Sequence, residues 1–341
     1  MSKEYSVKQA EQLGSMTQEE AVARARALAP AIRERAASAE TQRRQPAETI
    51  REIVEAGLVR LLIPKRWGGC ELPVDALAET ALAIAKADGS TGWCYAFLVG
   101  HPWLLAHFPD EAQRDVWGEN PDALLATSFV PEGRFTSVEG GYRLSGNWPW
   151  SSGVDHCEWN LVLALPASMD GPPRLFLLPK SDYEIMDTWF VTGLAASGSN
   201  NVVAKDIFVP EHRTLLLPHL VRGQSPSNPG PLYTLPFLSV FIVFLSVPLL
   251  GTTLAAYESW RDASRSKYTM LSHEAVASFT HQQIRFAEIT ADIAAAQALL
   301  KEALSLLHTD GQLSLENYNR INLYHAAIGR FCLRAVEQLY T

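Results

Sequence analysis

Cysteine is scarce in these 341 residues: Cys70, Cys94, Cys157 and Cys332 are the only four, and none is paired in a C-x-x-C spacing. That excludes a thiolate zinc site and a dithiol redox motif, and suits a protein kept reduced in the cytoplasm. Basic runs are missing too. None exceeds two residues, as at Arg43-Arg44, in a chain of net charge −8. A nucleic-acid binder needs a positive stripe, so none is expected; the acidity reads as a solubility feature. No G-x-G-x-x-G, Walker A, H-E-x-x-H or G-x-S-x-G string occurs. These absences weigh against nicotinamide, P-loop, zinc-protease and α/β-hydrolase chemistry, and no metal site is expected. The longest apolar run, Phe237 to Val247, lies between Pro236 and Pro248. A membrane span needs about 20 residues, so this run reads as buried core and no membrane partner is expected. The polar stretch from Met1 to Gly14 lacks the apolar centre of a signal peptide.

What is present falls into three segments. Residues 1–120 read as helical. Thr17 and Glu20 form a capping box ahead of an Ala/Arg/Glu-rich stretch. Pro46 fits the first turn of a second helix, with Ile50, Ile53 and Val54 on one face and Gly57 as its stop. A third helix is predicted over Val74 to Ala87, ended by Gly89.

Residues 121–221 change period. Short β-branched and aromatic runs are predicted as strands over 124–129, 141–150, 159–165, 174–178, 183–189 and 201–209. Gly140-Gly141 and Asp170-Gly171 supply hairpin turns. With no helical crossovers between them, an antiparallel barrel or sandwich is expected.

After a Pro/Ser/Asn/Gly-rich linker, residues 232–341 read as a helical bundle. Helices are predicted over 254–267 and 274–308, then a turn at Asp310-Gly311 and a last helix from Leu315. The sequence stops at Tyr340-Thr341 without a capping signal, so the bundle is expected to lack its last helices.

One stretch concentrates chemistry: Gly146-Asn-Trp-Pro-Trp-Ser-Ser-Gly-Val-Asp-His156. Two indoles and two hydroxyls converge within a few residues at a strand end. A flat heteroaromatic ring needs such walls and edge donors; the alternative is a β-turn with core tryptophans. His101, in an apolar stretch read as a loop, is either a satisfied structural histidine or a general base working near neutral pH. Arg265 and Tyr268, taken alone, read as surface residues.

The helix–sheet–helix order resembles the acyl-CoA dehydrogenase superfamily over residues 15–341. Gly57-Leu-Val-Arg-Leu-Leu-Ile-Pro-Lys-Arg-Trp-Gly-Gly69 is similar to that family's G-L-x5-P-x3-G-G turn. Gly193-Leu-Ala-Ala-Ser-Gly-Ser199 followed by Lys205-Asp-Ile-Phe-Val-Pro210 is similar to its G-x-R-G-T-x-S and D-V-x-V-P elements. Within the superfamily, Gly89-Ser-Thr-Gly-Trp93, His101-Pro-Trp103, Val116-Trp-Gly118 and Trp148-Pro-Trp-Ser-Ser-Gly-Val-Asp-His156 resemble the oxygenase components of two-component flavin monooxygenases. These include the oxygenase components acting on 4-hydroxyphenylacetate and on phenolic steroid-ring intermediates.

The resemblance implies the following expectations. A separate reductase supplies reduced FMN or FAD. O2 adds at the flavin C4a to give a hydroperoxide, which hydroxylates a small phenolic or other aromatic substrate. His101 holds or deprotonates the phenol. Ser152 donates at the flavin N5 edge with Ser151 beside it, and Trp93, Ser128 and Trp150 line the ring. Arg265 meets flavin phosphates of a neighbouring subunit in a homotetramer. Two other readings compete: an acyl-CoA dehydrogenase or a related N- or S-oxygenating flavoenzyme, and a non-catalytic assembly subunit. One departure stands out. Ala195 and Ala196 occupy the element in which the family carries an arginine.

Overall fold

A computed structural model describes residues 14–270, 273–308 and 312–340. The expected turn at Asp310-Gly311 and the stretch up to Leu13 lie outside them. The N-terminal part contains α1 (Gln18–Gln42), α2 (Ala47–Glu55), α3 (Val74–Ala85), α4 (Gly89–Leu105) and α5 (Asp110–Trp117). The capping box forms as its residues dictate: the Thr17 hydroxyl accepts from Glu20 N, and Thr17 N donates to the Glu20 carboxylate. Pro46 precedes α2 as its cap, and Gly57 follows it at φ 74°.

Gly89 does not end α3; it opens α4. The Asp88 carboxylate accepts from Thr91 N and caps that helix. The helix carries His101 inside a buried apolar segment, so the loop expected there is a helical turn. Its near-continuous apolar residues offer no period to read, because α4 is buried on nearly every face.

The middle of the chain forms one seven-stranded sheet in the order β5-β6-β2-β1-β3-β4-β7. The strands are β1 (Leu125–Val138), β2 (Gly141–Ser151), β3 (Trp159–Pro166), β4 (Arg174–Pro179), β5 (Glu184–Met186), β6 (Asn200–Pro210) and β7 (Thr214–Leu216). Every neighbouring pair is antiparallel except β1 and β3, which run parallel. The α+β class expected from the sequence therefore holds, with a mixed sheet in place of an all-antiparallel barrel or sandwich. β5 is shorter than the run 183–189 because its continuation is tied elsewhere. Arg43 binds Asp187 through both carboxylate oxygens, and Asn200 Oδ1 accepts from Thr188 N and Trp189 N.

Sheet irregularity makes the opening used below. β1 and β2 pair from Arg134↔Ser145 to Val138↔Gly141 and then diverge. β1 loses register with β3 between Ser128 and Gly133, and β2 loses register with β6 between Trp148 and Ser151. Trp150 sits in that second break at φ 64°. A bulge of this kind re-aims side chains that strict alternation would place on opposite faces.

After the short α6 (Leu217–Val221) the linker is packed: Ser225 Oγ and Asn228 Nδ2 both donate to the Ala106 carbonyl. The apolar run 237–247 begins a longer helix than expected, α7 (Phe237–Ser266), which continues through Pro248. Its length and mean hydropathy would suit a membrane span, but 61% of its most apolar window is buried inside the protein. It packs on α3 and α4 on one side and on α9 (Leu315–Tyr340) on the other. Gly100 permits the close crossing: a Cβ there would lie 2.2 Å from the Phe244 ring. α8 (Thr280–Ser305) packs along α9, burying Ile289, Ile293, Ala296, Leu300 and Ala303, whereas Ile284 is exposed.

Candidate functional site

The diverging ends of β1 and β2, one face of α4 and the first turns of α7 enclose a cleft of about 420 Å³. Ligand pockets commonly hold about 300–1,000 Å³. Trp93, Phe97 and His101 come from α4 at helical spacing; Thr127 to Val130 come from β1; Pro149 and Trp150 come from β2, and Ser152 directly follows that strand; Phe241 and Leu245 come from α7. Trp189, Leu194, Ser197 and Ser199 close the remaining side.

Five residues singled out in the sequence meet here: Trp93, His101, Ser128, Trp150 and Ser152. Trp150 is 64% exposed and forms the rim. Ser151 does not line the cleft. It is fully buried, and its Oγ accepts from Asn160 Nδ2 at 2.8 Å. The backbone break at Trp150 leaves Trp150 and Ser152 toward the cleft and turns Ser151 into the sheet. Arg265 does not line it either. It borders a separate cavity of about 220 Å³ with Trp260, Arg261 and Phe286.

His101 is held by geometry peculiar to the sheet opening. Its Nδ1 lies 2.7 Å from the Leu125 carbonyl, on the stretch of β1 that β2 does not pair. Burial pushes its pKa down to about 4, against the smaller opposing effect of that hydrogen bond. The imidazole is therefore neutral at ordinary pH. The Leu125 carbonyl requires the proton on Nδ1, which leaves the Nε2 lone pair as an acceptor with no protein partner. Phe97 packs against the ring with centroids 5.3 Å apart and helps to exclude water.

The polar edge is a line of hydroxyls. Trp93 Nε1 donates to Ser152 Oγ at 3.0 Å. Ser152 Oγ lies 2.8 Å from Ser199 Oγ, which lies 2.7 Å from Ser197 Oγ. Ser128 Oγ donates to the Pro149 carbonyl at 2.6 Å and so bridges β1 and β2 where they part. Ser197 and Ser199 were not picked out as site residues from the sequence. The signal was present in Ala195-Ala-Ser-Gly-Ser199, where hydroxyls flank a glycine that adopts φ 51°.

The loop that carries Ala195 and Ala196 is held through its backbone. Their backbone N–H groups donate to the Glu40 carboxylate at 3.2 and 3.1 Å. Gln45 Nε2 donates to the Ala196 carbonyl, and Gly153 N donates to the Ser197 carbonyl. Helix α1 thus pins the hydroxyl-bearing loop through its backbone. Nearby, the Arg43 guanidinium lies 3.8 Å over the exposed Phe190 ring, next to Trp189 on the cleft wall.

Comparison with known proteins agrees with this geometry. Residues 15–120 match the family model "Acyl-CoA dehydrogenase, N-terminal domain", and residues 243–341 match "Acyl-CoA dehydrogenase, C-terminal domain". The oxygenase subunit HsaA of Mycobacterium tuberculosis, a flavin-dependent monooxygenase, is 37% identical over 276 residues, covering 79% of this chain and 70% of that protein. The oxygenase component of an FADH2-dependent resorcinol hydroxylase from a Rhizobium species is 34% identical over 93% of this chain and 82% of its own length. The crystal structure of 3-HSA hydroxylase from Rhodococcus sp. RHA1 superposes with a TM-score of 0.88 at 32% identity, covering 94% of this chain and 85% of that one. The chain belongs to the acyl-CoA dehydrogenase family, among the oxygenase components of flavin-dependent monooxygenases.

Proposed function

We propose that this protein is an oxygenase component that hydroxylates a phenolic or other aromatic substrate with reduced flavin and O2. The observation that carries the reading is the meeting of Trp93, His101, Trp150 and Ser152, far apart in sequence, around one apolar cleft. The acyl-CoA dehydrogenase reading is not favoured, since the relatives named above are a flavin-dependent monooxygenase and an FADH2-dependent hydroxylase.

The residues fit a flavin ring. Aromatic side chains give flat walls, and Ser152, Ser197 and Ser199 give hydroxyls at one edge. Bound reduced flavin supplies the electrons that activate O2. The chain's own work is to keep water out, orient the ring and hold the substrate. Phe97, Phe129, Phe241 and Leu245 provide the dry wall. Ser152 meets the flavin edge, with Trp93 and Ser128 setting the shape of the seat.

His101 receives the phenol hydroxyl at Nε2. A phenol titrates near 10 and this imidazole near 4. Full proton transfer would cost roughly 8 kcal/mol at that gap, so His101 acts as an acceptor that draws the phenol proton without removing it. That hydrogen bond still raises electron density on the ring carbon ortho to the oxygen.

We further assign the reduced flavin to a separate reductase, the assembly to a homotetramer in the cytoplasm, and Arg265 to a flavin phosphate of a neighbouring subunit. The test supplies reduced FAD or FMN enzymatically, under 18O2, with simple phenols. One labelled oxygen in an ortho-hydroxylated product is expected. Binding of flavin and phenol without any labelled product would overturn the proposal.

A further inference from the structure

Two polar atoms on residues lining the cleft are shielded from water and bonded to nothing: His101 Nε2 and Thr127 Oγ1. A buried polar atom that has given up water without gaining a partner weakens the fold until something bonds it. Only His101 has a place in the reading above. Thr127 is 6% exposed and lines the same cleft. It stands two residues along β1 from Leu125, whose carbonyl holds His101. The stretch of β1 that pairs with β3 but not with β2 therefore fixes both groups from one short piece of backbone. Fold stability gives no reason for a hydroxyl here, since valine has nearly the same shape and no unmet hydrogen bond.

The charge of the wall adds a second constraint. Among the described residues, none of the side chains lining the cleft is an Asp, Glu, Lys or Arg. Arg43, which bonds the Trp189 carbonyl behind the cleft wall, is committed to Asp187. A carboxylate brought among Phe97, Phe129, Phe241 and Leu245 would lose its hydration without gaining a counter-ion.

We propose that Thr127 is a second substrate contact beside His101, and that the substrate is an uncharged phenol bearing a further hydrogen-bonding group on its ring. This rests on the oxygenase reading and narrows its substrate class. One ring oxygen goes to His101 Nε2 and the second polar group to Thr127 Oγ1, so a single ligand satisfies both unpaired atoms.

The experiment measures anaerobic binding of phenol, resorcinol and 3-hydroxybenzoate to the flavin-loaded full chain by calorimetry. Without O2 there is no turnover, so the result stands apart from whether the protein oxygenates. Wild type is expected to bind resorcinol roughly tenfold tighter than phenol, and 3-hydroxybenzoate more weakly than either. Thr127→Val should collapse the resorcinol-to-phenol ratio toward one, and Thr127→Ser should keep it. A merely structural threonine would move both affinities together and leave the ratio unchanged, which would overturn the assignment. Binding of 3-hydroxybenzoate by wild type as tightly as resorcinol would overturn the uncharged class, and needs no variant.

Discussion

The indole N–H of Trp93 donates to the hydroxyl oxygen of Ser152 at 3.0 Å, joining α4 to the end of β2. Indole only donates, so one lone pair of Ser152 Oγ is always taken. Ser199 sits 2.8 Å away on the other side, and Ser197 lies beyond it. Three hydroxyls in a line use two protons between them and send the third out at one end. When Ser199 donates to Ser152, both acceptor sites of Ser152 are filled and its own proton is free for the cleft. When the line runs the other way, Ser152 is left able to accept. The array can therefore meet either a donor or an acceptor at the ring edge.

Trp93→Phe removes the fixed donor and some indole volume. Weaker binding of reduced flavin, by several-fold, is expected, with a stability loss of about 1–3 kcal/mol. Anaerobic flavin titration and urea unfolding measure the two effects. In a Ser152→Ala background the binding penalty of Trp93→Phe should largely vanish, because the two residues act through one contact.

Ser199→Ala breaks the line and strands the Ser197 hydroxyl, which is 1% exposed. A loss of about 1–2 kcal/mol in unfolding free energy is expected. The ratio of reduced to oxidised flavin affinity should shift with it. Ser199→Thr, which keeps the hydroxyl, should restore both.

How much of this was legible beforehand follows from the kind of signal each part leaves. Thr17 with Glu20 is a local device, and it forms as written. Trp150 and Ser152 could be chosen because their neighbours compress unusual chemistry into a few residues. Ser151 could not be told from Ser152, because alternation separates their faces but does not say which face meets the cleft where the strand breaks register at Trp150. α4 was missed because a helix buried all round has no polar stripe to mark its turn. The parallel pairing of β1 with β3 depends on contacts remote in sequence, and Thr127 acquires meaning only once β2 has moved away from it.

Glu40 supports the site from a distance. Its carboxylate accepts from Ala195 N and Ala196 N, and Ser90 Oγ reaches it at 3.4 Å. Glu40→Ala leaves those N–H groups to water and loosens the loop that places Ser197 and Ser199. Faster protease cleavage between residues 190 and 198 is expected. Flavin affinity should fall several-fold, with little change in far-UV circular dichroism. Glu40→Gln keeps one acceptor and should fall between Ala and wild type.

Acid should destabilise the fold through its buried histidines. Burial lowers His101, His107 and His325 to about 4 each. An unfolded histidine titrates near 6.5. Above that value each ring is neutral in both states, and the native state keeps its full advantage. Between about 6.5 and 4 the unfolded chain binds protons that the folded chain refuses, so stability falls as pH falls. Each proton contributes about 1.4 kcal/mol per pH unit, and three give a slope of about 4 kcal/mol per unit in mid-window. Urea unfolding at about pH 7, 6 and 5 measures that slope. His107 lies outside the cleft, with its Nδ1 2.9 Å from the Trp103 carbonyl. His107→Gln should therefore reduce the slope by one proton, whatever it does to stability at neutral pH. An unchanged slope would mean that the ring at 107 is not the neutral, sealed group its burial requires.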